Sequence, residues 1–514
     1  MSFFRNLAMI LLAALPCSAF AAPPASPAKA LEEQLQKVID DATPSVVAVV
    51  VSHRKYPASR PTDAKTPGTL GEYGSAPRFD PALLQPGVAI ATDRLDLTQV
   101  ENVADNQFGS GLVLDADRGL ILTPYHLIEG ATKIYVRTGA GKGSYADIHA
   151  ADARSDLAVL RLIHPTKGIA SAKLGTVQFL TAPDGTKPNL KRGSMLAAVG
   201  HPLASGFADG VPSGSWGILS NIRRRTATAP PREDLRSNKP LHQFGSLIQT
   251  DARIALGSSG AALFNLDGEA IGLSSAIAAV QGSEASGGYA IPFDTNYRRI
   301  ISVLFAGHEV DYGFLGVFPT TYAGPGGGAQ INTVTPGCPA AFAGLQNEDI
   351  IREVDGHAIK DSDDLLLFVG AALAGSEVTL TVQRNGKTLQ KKAVLAKIAN
   401  SLPSIASVAP PNVRGLRVDY SSVELVKRFN TNTGLRFDDP PVGVSVRDVE
   451  AGSAAEKKLR DAGEGVISWI ITHADDKAVA NPAEFAKATA GKASVKLKLA
   501  DPENATRTVT VTLP

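Results

Sequence analysis

The chain has very little cysteine: only Cys17 and Cys338 occur among its 514 residues. Cys17 lies in a segment that we expect to be removed, so a single thiol would remain in the mature protein and no internal disulfide could form. The fold must then be stabilised by buried apolar surface. We expect Cys338 to be a buried, inert thiol and not a reactive one.

Net charge and aromatic residues are also scarce. The formal net charge is +1, and 6% of the residues are aromatic, whereas Gly and Pro are frequent at 48 and 33. A general nucleic-acid binder carries a strong positive charge, so this class is excluded and no nucleic-acid partner is expected. Many turn residues with few aromatics favour a mainly β architecture. A chain of 514 residues is too long to fold around a single hydrophobic core, so about three domains are predicted.

Long apolar runs are missing except at the N-terminus. Arg5 precedes an apolar run over residues 7–15, and Ala19 and Ala21 form a small-x-small cleavage site. We therefore predict a signal peptide over residues 1–21, which is typical of exported proteins. The run is shorter than the roughly 20 residues that span a bilayer, so no integral membrane segment is expected after cleavage. Export with one remaining cysteine favours the bacterial periplasm.

The next segments predict a helix and several strands. A short amphipathic helix is expected over residues 31–42 and a buried strand over residues 45–51. Residues 53–107 form a long insertion of low periodicity, interpreted as a surface loop that is mobile or folded over another part of the protein. Residues 108–123 predict a hairpin. Its two aspartates fit a turn better than a calcium loop, because the third carboxylate and the later Glu are missing.

The stretch over residues 257–260 has the pattern of a turn that carries a catalytic serine. It is a glycine-bounded turn that presents Ser259 ahead of an apolar strand, as a serine nucleophile requires. Alone it is weak support, because Gly and Ser are ordinary turn residues. His126 follows the predicted hairpin, and Asp156 begins a later strand. The order His, Asp, Ser is that of the chymotrypsin-like double barrel, whereas α/β-hydrolases and subtilisin-like proteins use other orders.

Residues 31–305 resemble the HtrA (Deg) family of trypsin-like serine proteases. The blocks that carry the resemblance occur in the family's order, at residues 109–111 (Gly-Ser-Gly), 123–128 (Thr-Pro-Tyr-His-Leu-Ile), 154–160 (Arg-Ser-Asp-Leu-Ala-Val-Leu) and 249–263. The resemblance implies a triad of His126, Asp156 and Ser259. It also implies an oxyanion hole formed by the N–H groups of Gly257 and Ser259, and hydrolysis that needs no metal or cofactor.

The resemblance further implies a specificity pocket. One wall of it would be formed by Leu273, Ser274, Ser275 and Ala276. These residues are small or aliphatic and include no Asp, so we expect cleavage after small aliphatic residues and not after Arg or Lys.

The nucleophile block departs from the family pattern at three positions. Ser258 stands where the family has Asn, and Ala261 and Ala262 replace Gly and Pro. Ala261 would be strained if its position required a positive φ. A protease-inactive relative that acts as a chaperone or as a PDZ scaffold therefore stays open as the alternative. Because all three triad residues are present, we favour an active serine endopeptidase.

The C-terminal part resembles a pair of PDZ domains. The first covers residues 309–397, and the second, more divergent copy covers residues 413–514 after a Pro/Ser/Ala-rich linker at 398–412. In the first copy a glycine-flanked loop would aim N–H groups at a terminal carboxylate, and the next strand would accept an extended peptide. The loop residues are Gly313, Phe314, Leu315 and Gly316. Whether the second copy binds peptides or contacts other subunits is left open.

The sequence thus predicts a mainly β protein, with a chymotrypsin-like double β-barrel over residues 22–308 followed by two PDZ domains. The resemblance implies an exported protease that degrades unfolded or misfolded envelope proteins and binds exposed C-terminal peptide tails. It also implies a homo-oligomer, a trimer or a multiple of one. The run Arg223–Arg225 and the residues up to Pro240 are interpreted as a solvated basic loop.

Overall fold

The computed structural model describes residues 26–53, 97–98, 107–139, 142–179, 186–202, 209–224, 240–254, 257–275, 288–399, 402–425 and 441–514. The predicted signal peptide, residues 225–239 of the basic loop and nearly all of the predicted insertion lie outside these residues. Within the insertion, Leu97 is described and is buried against Val50 and Tyr135. This part of the insertion is folded onto the protein.

An amphipathic helix leads into the first strand. Helix α1 spans Pro27–Ala42 and starts about one turn earlier than expected, because Ser26 caps it and proline is favoured in the first turn of a helix. Strand β1 spans Val46–Ser52 and is buried along its whole length. The predicted helix and strand are therefore confirmed.

The first barrel consists of six antiparallel strands. Strands β1–β6 are Val46–Ser52, Gln107–Asp115, Leu120–Pro124, Lys133–Gly139, Lys142–Asp152 and Leu157–Leu162, and the short helix α2 after β3 is Tyr125–Ile128. The order is β5-β4-β1-β2-β3-β6, and pairing of β5 with β6 closes the barrel. Strands β2 and β3 form the predicted hairpin. Asp115 accepts a hydrogen bond from the N–H of Arg118 at 2.9 Å in that turn, which confirms its turn role.

A second closed barrel follows. Strands β7–β12 are Met195–Gly200, Ser213–Arg224, Leu247–Thr250, Ala262–Phe264, Ala270–Ser274 and Gly288–Pro292, in the order β10-β11-β12-β9-β8-β7. One buried apolar cluster joins the barrels, with Leu112 and Leu122 from the first and Val199 and Phe264 from the second. This packing brings the ends of strands from the two barrels together, which is where the predicted triad residues lie.

Helix α3 spans Thr295–Phe305 and follows the last strand of the second barrel. The carboxylate of Asp294 caps it by accepting a hydrogen bond from the N–H of Tyr297 at 2.9 Å. Tyr297 and Leu304 on its apolar face belong to the cluster between the barrels.

The next unit has a six-stranded sheet, a two-stranded sheet, two helices and a core of its own. Strands β13–β20 are Gly313–Phe314, Val317–Thr321, Ala329–Val334, Ile350–Val354, His357–Ala358, Glu377–Arg384, Lys387–Val394 and Ala396–Lys397, and the helices are α4 (Pro339–Phe342) and α5 (Ser362–Ala371). The main sheet has the order β14-β15-β16-β18-β19. Leu315, Ile331 and Leu380 lie in its separate apolar core.

The predicted linker contains a strand. Strand β21 (Ser404–Ala406) pairs with β5 of the first barrel, with Ser404 opposite Asp152. Alternation of apolar residues could not predict this strand, because two of its three residues are exposed and its pairing depends on the exposed edge of β5.

The last unit repeats the topology of the previous one. Strands β22–β27 are Leu416–Tyr420, Val444–Val449, Ile470–Ala474, Lys477–Ala478, Val495–Ala500 and Thr508–Leu513, and the helices are α6 (Ala454–Asp461) and α7 (Pro482–Thr489). The order β22-β23-β24-β26-β27 corresponds strand by strand to the earlier sheet. Lys397, which ends β20, is buried. Its Nζ lies 2.7 Å from Oδ1 of Asp311 and 2.9 Å from Oδ2 of Asp419, so it connects the last unit to the one before it.

The interpretation of Arg223 as part of a solvated basic loop is wrong. Its guanidinium donates to the buried carboxylate of Asp364 on α5 and lies 5.6 Å from the ring centre of Phe368. Arg223, on β8, therefore pairs with a carboxylate on α5, because a buried carboxylate needs a cationic or hydrogen-bonding partner. The sequence could not show that the strand and α5 meet.

Candidate active site

Three side chains from three segments form one hydrogen-bonded chain. His126 is on α2, Asp156 is in the turn before β6, and Ser259 is in the turn before β10. Nδ1 of His126 lies 2.8 Å from Oδ2 and 3.0 Å from Oδ1 of Asp156, and Nε2 lies 3.2 Å from Oγ of Ser259. Asp156 is nearly inaccessible and Ser259 is 6% exposed, whereas the imidazole is 23% exposed, so solvent reaches this chain mainly at the His126 ring.

The backbone around Asp156 fixes its carboxylate. Its φ is +59°, a left-handed conformation that Asp tolerates better than most residues. Oδ1 accepts the backbone N–H of His126 at 2.9 Å, and the carbonyl oxygen accepts the N–H of Tyr125 at 3.0 Å. Oδ2 also accepts the hydroxyl of Ser275 at 3.1 Å. The carboxylate is thus held in place before it contacts the imidazole.

The nucleophile turn is shaped by two glycines. Gly257 and Gly260 have φ values of +79° and +87°, which other residues adopt only with strain. The N–H of Gly260 donates to the carbonyl of Ser274 at 2.9 Å. A Cβ on Gly260 would lie 2.0 Å from the carbonyl oxygen of Ser110, so the turn also lies tightly against β2.

The predicted oxyanion donors are available in this turn. Among the described residues, the N–H groups of Gly257 and Ser259 have no hydrogen-bond partner. An unpaired N–H beside a nucleophile can stabilise a developing negative charge. That these two groups form an oxyanion hole stays a prediction.

The departures from the family pattern fit the backbone. Ala261 is not among the residues with positive φ, so the strain considered above does not arise. A Cβ at Gly200 would lie 2.4 Å from the Cβ of Ala261, so the opposing glycine makes room for the alanine methyl. The carbonyl of Ser258 accepts the N–H of Ala261 at 2.8 Å and the hydroxyl of Ser274 at 2.7 Å.

The residues predicted to form the specificity wall use their side chains inside the protein. Leu273 is fully buried in the cluster between the barrels, and Ser274 and Ser275 direct their hydroxyls to Ser258 and Asp156. Ala276 lies outside the described residues. A cavity of about 270 Å³ adjoins the nucleophile turn, and Leu273, Ser274 and Ser275 are not among the residues that line it. It is lined by Ala198, Gly200, Pro202, Ser213, Gly214, Ser215, Arg253, Ile254, Ser258 and Ala261.

Two further residues near the triad were missed by the sequence reasoning. Ser110 donates its N–H to the carbonyl of Ser259 at 2.6 Å, and its hydroxyl accepts the N–H of His201 at 2.9 Å. His242 is buried in the 3-10 helix Leu241–Phe244; burial lowers its pKa, and the charge of Asp156 opposes that shift. The Gly-Ser-Gly block was a signal for Ser110, but no local pattern marked His242.

The predicted carboxylate loop lies between β13 and β14. Gly313 and Phe314 form β13, and Leu315 is buried in the core of this unit. Gly316 has φ +84°, and a Cβ there would lie 2.3 Å from the Cβ of Cys338. The N–H groups of Leu315 and Gly316 have no partner among the described residues. Burial raises the pKa of the Cys338 thiol to about 12, which agrees with an inert thiol.

Comparisons with known proteins identify both parts of this architecture. A family model of the trypsin-like peptidase domain matches residues 109–273, and a model of the PDZ domain matches residues 313–395. The probable periplasmic serine endoprotease DegP-like of Pseudomonas fluorescens is 30% identical over 405 residues, which cover 76% of this chain and 76% of that protein. The chain belongs to the HtrA family of DegP-like serine endoproteases.

Two relatives from Escherichia coli K12 show a similar extent of likeness. The periplasmic serine endoprotease DegP is 29% identical over 75% of this chain and 73% of its own length. The periplasmic pH-dependent serine endoprotease DegQ is 28% identical over 72% and 78%. The protein is accordingly a mainly β serine endopeptidase with two barrels in its protease part and a PDZ domain.

The described part of the chain has neither a candidate metal site nor a candidate membrane-spanning helix. No group of three or more His, Cys, Asp or Glu residues is placed there to hold a metal ion. No described helix has both the length and the apolar character that crossing a membrane requires.

Proposed function

We propose that His126, Asp156 and Ser259 carry out peptide-bond hydrolysis. The observation that carries this proposal is the hydrogen-bonded chain from the Asp156 carboxylate through the imidazole to the serine hydroxyl. Nε2 of His126 takes the proton as Oγ of Ser259 attacks the scissile carbonyl carbon. Asp156 holds the ring and stabilises the imidazolium.

The N–H groups of Gly257 and Ser259 bind the oxyanion of the tetrahedral intermediate. His126 then returns its proton to the leaving amine, and a water molecule hydrolyses the acyl-enzyme by the same steps. Each lost oxyanion donor lowers kcat by roughly 100- to 1,000-fold. Both donors lie on the turn that β2 and β11 support, so the oxyanion hole is set by tertiary contacts.

The substrates we propose are unfolded or damaged proteins of the bacterial envelope. The relatives named above are periplasmic proteases, and the N-terminal sequence has the pattern of a signal peptide over residues 1–21. Unfolded chains supply the extended segments that a protease cleft requires. We expect cleavage after small aliphatic residues, because the cavity beside the nucleophile turn is lined mostly by small residues and has, among the described residues, no acidic group for a basic side chain.

The loop from Gly313 to Gly316 would bind the C-terminal carboxylate of such substrates, with the peptide added along β14. The unit at residues 413–514 is proposed as a second PDZ-like domain, because it repeats the strand order of the first. We assign residues 22–308 to the protease domain, 309–397 to the first PDZ domain and 398–412 to the linker. A homo-oligomer, a trimer or a multiple of one, is proposed from the family.

The test uses the full mature chain with an unfolded model protein and a fluorophosphonate probe. We expect the wild type to digest the protein and to be labelled, and Ser259→Ala to do neither. A wild type that is as inert as Ser259→Ala in both assays would overturn the proposal and support the alternative of a protease-inactive chaperone. Sedimentation of the same samples measures the oligomeric state.

A further inference from the structure

The turn that carries Asp156 is built around a second buried carboxylate. Asp152, at the end of β5, is 1% exposed, and its Oδ2 accepts the N–H of Ser155 at 2.7 Å and the hydroxyl of Ser155 at 2.6 Å. Ser155 directly precedes Asp156 in the chain. The position of the Asp152 carboxylate therefore sets the backbone next to Asp156.

The same oxygen of Asp152 accepts a third hydrogen bond from outside the barrels. Its donor is the hydroxyl of Tyr312, which lies near the start of the first PDZ domain, directly before β13, and is fully buried. The guanidinium of Arg154, in the same turn, lies 5.0 Å from the centre of the Tyr312 ring. Burial raises the pKa of Asp152, and the hydrogen bonds from Ser155 and Tyr312 oppose this shift. Tyr312 is thus part of what keeps the carboxylate in place.

Strand β21 holds the backbone of the same turn. Ser404 is paired with Asp152, and the carbonyl of Pro403 accepts the N–H of Ala153 at 3.1 Å. Farther along β5, the N–H of Ser407 donates to the carbonyl of His149 at 3.0 Å. The turn is therefore fixed on two sides by residues that follow the protease barrels in sequence.

We propose that Tyr312 is a positioning residue for peptide hydrolysis and acts through Asp152 on the turn that carries Asp156. The proposal rests on the catalytic role of Asp156 given above. Tyr312 touches neither the substrate nor the reacting atoms. Its effect is on geometry: without the hydroxyl, the Asp152 carboxylate loses one of its three donors, and a buried acceptor that loses a donor is driven to rearrange.

Such a rearrangement should appear in kcat and not in KM. A shift of Ser155 moves Asp156 relative to the imidazole, and misplacing a catalytic group by about 1 Å lowers rates by up to about 100-fold. Loss of one of three donors is a partial perturbation, so we expect kcat to fall by about 10-fold. A short peptide substrate that cannot reach the PDZ domain keeps effects on tail binding out of the measurement.

The experiment compares Tyr312→Phe with Tyr297→Phe in the full mature chain. Tyr297 is the matched control because it is also buried, and its hydroxyl is hydrogen-bonded to that of Ser246 at 2.8 Å and not to the Asp152 carboxylate. We expect Tyr312→Phe to lower kcat with KM unchanged and to speed amide hydrogen exchange over residues 152–157. Tyr297→Phe should leave both at the wild-type level.

Three results would overturn the inference: an unchanged kcat for Tyr312→Phe, an equal loss in both variants, or a change in KM alone. Hydrogen exchange still reports on the turn if Tyr312→Phe lowers overall stability. Failure of the proposed function is seen separately, as a wild type that matches Ser259→Ala.

Discussion

Replacing Gly260 by alanine should disable the nucleophile turn while leaving the protein folded. The new Cβ would lie 2.0 Å from the carbonyl oxygen of Ser110, whereas ordinary carbon–oxygen contacts are about 3.3 Å or longer. The turn or β2 must therefore move by about 1 Å. Because Oγ of Ser259 is 3.2 Å from the imidazole, a movement of this size breaks the hydrogen bond, and we expect kcat to fall about 100-fold.

A second glycine separates this effect from backbone strain. Gly268 has φ +72°, close to the +87° of Gly260, but a Cβ there would have no neighbour within 4 Å. Both alanine variants carry the strain of a left-handed residue, about 1–3 kcal/mol, and only Gly260→Ala adds the clash. Gly268→Ala should therefore lose some thermal stability and keep the wild-type kcat.

Steady-state hydrolysis of a chromogenic peptide measures kcat, and thermal melting measures the loss of stability. Labelling by a fluorophosphonate reports on Ser259 independently of substrate binding. A kcat for Gly260→Ala within about 3-fold of the wild type would refute this reasoning, because a shift of the nucleophile turn by about 1 Å should lower kcat far more.

Three other changes test separate parts of the structure. Ser275→Ala removes one donor from the Asp156 carboxylate and should lower kcat about 10-fold in peptide hydrolysis; an unchanged kcat would count against this contact. Arg223→Ala leaves Asp364 buried without its cation. A double-mutant cycle with Asp364→Ala, measured by thermal unfolding, should show a coupling free energy of about 1–3 kcal/mol between the two residues. Additive effects of the two substitutions would be the contrary result. Burial lowers the pKa of His201 to about 4, below its unfolded value, so the unfolded state binds more protons and stability falls as the pH drops from about 6.5 towards 4. His201→Leu should make the melting temperature depend less on pH in that window. An unaltered dependence would contradict the attribution of this loss of stability to His201.

Local sequence was sufficient where a short segment determines its own structure. The amphipathic pattern predicted α1, and the alternation of apolar residues around a polar turn predicted the hairpin of β2 and β3, because side-chain periodicity decides which face is buried. The turn glycines were also readable, since positive φ at Gly257 and Gly260 excludes most other residues. The order of His126, Asp156 and Ser259 indicated the double barrel.

The sequence could not give the contacts that join distant segments. The role of Arg223 depends on Asp364, and the hydroxyls of Ser274 and Ser275 have partners that only the folded barrels bring near. The same is true of β21, whose pairing partner is an edge that the barrel leaves open.

The sequence by itself thus determined what kind of fold the chain adopts and predicted which residues would perform the chemistry. The tertiary structure alone decided how they are held, from the three donors on Asp152 to the carbonyl of Ser110 against Gly260. The physical reason is that hydrogen-bond geometry varies over tenths of an ångström and links residues far apart in the chain, whereas sequence patterns report only on neighbours.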